Sequence, residues 1–83
     1  MTNPEASAIA ERLSPAQKRA LLSASFREAH GAWWPAGWYV SADRRVNLNL
    51  CRQGLILDYL RPANRLTETG LAVRTLLKDN QDG

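Results

Sequence analysis

The stretch SADRRVNLNLCRQGLILDYLRPANRLTETGLAVRTLL, Ser41 to Leu77, decides the fold. Ser41 can cap a helix, Asp43 suits its first turn and Arg52 its last, each complementing the helix dipole. The spacing predicts that helix over 42–53, with Val46 and Leu50, four apart, turned to the core. Gly54 follows as the expected left-handed residue just past its end. LILDYL then alternates an apolar set, Leu55, Leu57 and Tyr59, with a mixed set, Ile56, Asp58 and Leu60, which is a strand pattern. Arg61-Pro62-Ala63-Asn64 has turn composition and Arg65-Leu66 begins a return, so a short β-hairpin with a basic tip is expected. Thr67 caps a closing helix with Glu68 in its first turn. Its stripe is Leu71, Val73, Leu76 and Leu77, and Arg74 and Lys78 suit its C-terminal half. Helix, hairpin, helix in this order predicts an α+β fold that is mostly helical.

Working back from Ser41, GAWWPAGWYV is broken by Gly31, Pro35 and Gly37 and reads as a rigid aromatic loop. At least two of Trp33, Trp34, Trp38 and Tyr39 are expected to plug the core, with Trp33 and Trp34 the candidates for an exposed interface. Before the loop, Ser14, Pro15 and Gln17 compose a capping box, and a helix is expected from Pro15 to about Arg27. Ala20, Leu21 and Ala24 form its inward face, with Leu22 and Phe26 stacked on an adjacent one. So wide an apolar arc calls for a second contact. With the apolar closing helix it makes a homodimer the expectation. At the start, Asn3 can cap and Pro4 can open a short helix to Arg12, weakly docked because Ile9 is its only large apolar residue. The tail, 79–83, is polar and expected to fray.

At 83 residues the chain is read as one domain, 1–83, without room for a second active unit. Charged residues make up 23% and the net charge is +3, with a pI of about 9.6. Between Arg44 and Arg65 five arginines (Arg44, Arg45, Arg52, Arg61 and Arg65) face a single acid, Asp58, so the positive charge is concentrated there. That asymmetry is the footprint of a polyanion partner, though an acidic protein surface satisfies the same electrostatics and a solvated face is the plain reading. Cys51 is the only cysteine, which excludes an internal disulfide. No apolar run approaches a membrane span and no leader pattern opens the chain, so a cytoplasmic location without membrane partners is expected.

The motifs LSPAQKRALL, CRQGLI at a helix end, and RLTETGLAVRTLL after a hairpin resemble the winged helix-turn-helix domains of bacterial and phage regulators, over about Leu13 to Leu77. The resemblance implies a winged-helix-like domain whose recognition helix, 42–53, lies in the major groove while the tip at Arg61 to Arg65 touches phosphate or minor groove. Arg44, Arg45, Asn47 and Leu48 would then meet base edges and backbone, Arg suiting guanine and Asn adenine. One departure stands out: the slot of the family's short middle helix holds the tryptophan-rich loop.

The remaining residues carry no reaction chemistry. His30 is the one histidine and Cys51 the one cysteine, so no metal site, and no cofactor, is expected. Asp43, Asp58 and Glu68 occupy cap and strand positions, and no phosphate loop or nucleophile elbow is present, so no enzyme is expected. Two functions stay open. One is a small duplex-DNA-binding regulator or accessory factor acting through the helix and wing. The other is an inhibitor or adaptor of phage or mobile-element origin, in the manner of anti-CRISPR proteins, whose basic face blocks a protein or nucleoprotein complex.

Overall fold

In a computed structural model the described residues are 4–29 and 35–81. Asn3, His30, Trp33 and Trp34 therefore lie outside the described residues. The elements run α1 (Pro4–Arg12), α2 (Pro15–Leu22), β1 (Ser25–Arg27), β2 (Gly37–Val40), α3 (Arg44–Arg52), β3 (Asn64–Arg65) and α4 (Glu68–Gln81). The architecture is α+β, mostly helical and winged-helix-like, with a three-stranded antiparallel sheet ordered β1-β2-β3.

The expected caps form. On α2 the Ser14 hydroxyl accepts from Gln17 N at 3.2 Å while the Gln17 side chain accepts from Ser14 N at 3.0 Å, closing a capping box. The cap of α3 is Asp43 rather than Ser41: its carboxylate accepts from Val46 N at 2.9 Å, so the helix starts two residues later than expected. At the other end Gly54 has φ +76°, and Gly54 N and Leu55 N donate to the carbonyls of Cys51 and Leu50 at 3.0 Å each, a Schellman closure. Thr67 Oγ1 caps α4 by accepting from Gly70 N at 3.0 Å. The helix continues through 79–81, where fraying was expected.

Two further boundaries differ from the sequence reading. α2 ends at Leu22 instead of about Arg27, because 25–27 pair with 37–40 as β1, in register Ser25↔Tyr39, Phe26↔Trp38 and Arg27↔Gly37. Gly37–Val40, the end of the expected aromatic loop, thus forms a strand, while 31–34 lie outside the described residues. The second difference is the wing. Strand pairing of 55–60 with Arg65-Leu66 shrinks to one bridge, Ile56↔Leu66, with Leu57 N donating to Arg65 O at 3.0 Å. Asn64 and Arg65 pair with β2 instead.

The core gathers Leu13, Leu21, Val40, Leu50, Leu55, Ile56, Leu66, Val73 and Leu77. α1 joins it through Ile9 and the small residues Ala6 and Ala10, packed on α4. Gly70 lets α4 approach the chain after α3 closely: a Cβ there would collide with the Leu55 carbonyl oxygen. Phe26, expected to stack on Leu22 along α2, lies on β1 and meets Trp38 edge-on, 5.7 Å between ring centres. The opposite neighbour of Trp38 is Arg74, whose guanidinium sits 4.1 Å from its ring centre. Arg74 is thus a packed cation–π partner and not merely a helix-end charge.

Candidate nucleic-acid interface

α3 is amphipathic in a way that separates its polar residues. Val46 packs against the core and Leu50 is fully buried, while Arg44, Arg45 and Arg52 are exposed and Leu48 is half-buried. At about 100° per residue Leu48 falls between Arg44 and Arg45, with Arg52 close beside, so these four make one outward stripe. The stripe brings together four of the residues expected to bind.

Asn47, expected in the same set, is elsewhere. It is 2% exposed, and its Nδ2 donates to Ala42 O at 2.9 Å, tying the entry of α3 to the preceding chain. An amide so placed does not face a base edge. Helical geometry carried the signal, since position 47 lies only about 60° from Leu50, whereas Asn49 lies about 40° from Arg45 and is partly accessible.

Arg61 and Arg65 are both exposed, and Arg61 joins two surface grooves. The first, about 260 Å³, runs between the start of α3 and the loop after it, with Arg44, Asn47, Tyr59, Leu60 and Arg61 on its walls. Through it the helix and the loop present their charges on one surface. The second, about 320 Å³, lies between that loop and the sheet and is bordered by Tyr39, Leu57, Asp58, Arg61, Asn64 and Arg65. Asn64 is its deepest polar residue, 1% exposed, with Nδ2 donating to Arg61 O at 3.0 Å and so fixing the curve of the loop.

Asp58 is the acid of this surface. Its carboxylate accepts from Tyr59 N at 2.7 Å and Leu60 N at 3.1 Å and lies 3.7 Å from Arg61 Nε. The N–H of Leu60 first, then that of Tyr59, with Arg61 adding to them, hold its carboxyl below the usual carboxylate range. Asp58 therefore stays ionised and partly neutralises Arg61, leaving Arg44, Arg45, Arg52 and Arg65 without an ion pair among the described residues.

Comparison of the chain with family models, curated proteins and solved structures finds no match. Among the described residues no group of His, Cys, Asp and Glu could hold a metal ion, and no helix is long and apolar enough to cross a membrane. Cys51 is a half-buried free thiol packed against the core. One basic residue escaped the sequence reading: Arg27 on β1, whose guanidinium lies 5.7 Å from the centre of the Tyr39 ring. Strand pairing that puts Arg27 opposite Gly37 is not visible while the segment reads as the end of a helix.

Proposed function

We propose that this chain is a non-enzymatic DNA-binding protein, a regulator or accessory factor, that lays α3 in the major groove of duplex DNA and rests the 57–63 loop on the adjoining backbone. The observation that carries this reading is the outward stripe of α3, on which Arg44, Arg45 and Arg52 flank Leu48. Arginine matches guanine bidentately or a phosphate, and a leucine among them suits a thymine methyl group. Arg61, sharing a groove with Arg44, extends the positive surface from helix to loop. The resemblance of the chain to winged helix-turn-helix regulators supports the same arrangement.

Anisotropy of a labelled random duplex tests it. Binding should weaken steeply between about 50 and about 200 mM salt, as expected when several phosphates are neutralised. Replacing Arg45 and Arg52 by Ala should lower affinity about tenfold or more. Unchanged affinity in that double variant would remove α3 from the interface.

One observation favours a protein partner instead. Leu57 and Leu60 are 64% and 62% exposed beside Arg61, and large apolar side chains among arginines suit a protein interface. In that reading the basic face occupies an acidic or nucleic-acid-binding surface of another protein, as a phage or mobile-element inhibitor of the anti-CRISPR kind does. Absence of duplex binding even at low salt would favour it.

A further inference from the structure

The outer face of the sheet carries an arrangement that the α3 reading does not use. In register, Ser25, Tyr39 and Arg65 stand in one row across the three strands, and Arg27 and Gly37 in the next. Since alternate residues of a strand share a face, Arg27, Gly37, Tyr39 and Arg65 all lie on the same side. Trp38, one residue out of phase, turns to the other side and Arg74.

Two features hold the arginines in place. Arg27 lies over the Tyr39 ring, whose hydroxyl donates to Pro35 O at 2.6 Å. Arg65 crosses the strand above Gly37, so closely that a Cβ on Gly37 would stand 2.6 Å from Arg65 Nε and 3.3 Å from its Cγ and Cδ. The missing side chain of Gly37 is thus the notch in which Arg65 lies, and the notch is the cross-strand partner of Arg27. Arg65 fills the notch, and Arg27 stands across the strand pair from it on the same face. Neither has an ion pair among the described residues, and the groove beside Arg65 adds Arg61.

We infer that Arg27 and Arg65, which share one face of the sheet on either side of Gly37, form a phosphate-binding site. Guanidinium groups backed by an aromatic ring and a glycine notch lose little freedom on gripping an oxyanion, and two forks match the several oxygens of a phosphate. The phosphate is that of a nucleic-acid backbone or a free one. In its backbone form the inference rests on the DNA reading above: the same duplex that α3 meets would be held a second time by the sheet.

Arginine Nε–Hε signals followed by NMR test the site, in one titration with inorganic phosphate and another with the labelled duplex. The signals of Arg27 and Arg65 should move together along one curve, while those of Arg12 and Arg19, on α1 and α2, stay behind. In the duplex assay Arg27→Ala/Arg65→Ala should bind about tenfold more weakly, with a salt slope shallower by about two phosphate contacts. Gly37→Ala is the charge-neutral control. Its methyl group pushes a flexible side-chain end aside and spares the fold, as circular dichroism would check, yet it should reproduce much of the Arg65 loss.

A response of Arg27 and Arg65 no larger than that of Arg12 and Arg19 in both titrations would overturn the site. Duplex binding that depends on Arg45 and Arg52 but ignores Arg27, Arg65 and Gly37 would do the same, leaving the α3 reading intact. Response to phosphate without any duplex binding would keep the site and remove the DNA function.

Discussion

At the level of single residues, three glycines do three different things. Gly54 has φ +76° with nothing near its would-be Cβ, so Gly54→Ala strains only the backbone, at about 1 kcal/mol. Gly70 sits in α4 against the Leu55 carbonyl, a backbone atom that cannot swing away. Gly70→Ala should therefore cost more, about 1–3 kcal/mol as for other overpacked sites, although alanine is the better helix former. Thermal melting of both variants checks the order. Gly37→Ala, which meets only a side-chain end, should melt close to the parent. Asp58 gives a test by pH. Its folded carboxyl titrates below the ordinary 3.8, so its contribution is present above that value and is lost as pH falls through the lower folded midpoint. Carboxyl NMR should show a depressed midpoint for Asp58, and Leu60 and Tyr59 amide shifts should follow the same curve.

Among the elements, what was legible in the sequence was whatever depends on contacts three or four residues apart. The capping box of α2, the glycine stop of α3 and the Thr67 cap are local geometry, and each is present as read. Ser14→Ala should cost about 1 kcal/mol by removing the acceptor for Gln17 N, measurable by denaturant titration. The errors lie where distant pairing prevails over local pattern. Nothing in Ser23-Ala24-Ser25-Phe26 stops a helix, and β1 exists because Phe26 and Arg27 meet Trp38 and Gly37 across the sheet. The wing strand fails for a nearer reason: Asp58 accepts from the next two backbone N–H groups and turns the chain just after Leu57. An aspartate inside an apparent strand was the available warning. For the candidate site, the arginines of α3 and the loop could be read from charge clustering. The resemblance puts Asn47 on the binding face although its place on the helix turns it inward, and Arg27 joins the basic surface only through strand register.

For the molecule as a whole, the positive charge is spread over α3, the loop and the sheet and not gathered in one cleft. Association with any polyanion should therefore respond strongly to salt, and each arginine removed should weaken it by a modest share. Self-association expected from α2 and α4 has lost part of its footing. Leu22, Leu71 and Leu76 pack against the chain's own core, and Phe26 has left α2. Light scattering at tens of micromolar should give the mass of a single chain, 9.3 kDa, and a doubled mass would return the dimer to consideration. The joint between α3 and α4 has a further consequence. Thr67 N donates to Leu55 O at 3.0 Å, Thr67 Oγ1 donates to Gly54 O at 2.6 Å, and Ile56 bridges to Leu66, so the chain leaves and re-enters the core through one narrow neck. Everything at the tip, 58–62, hangs outside that neck. The tip can consequently change in length and composition while both helices keep their seats.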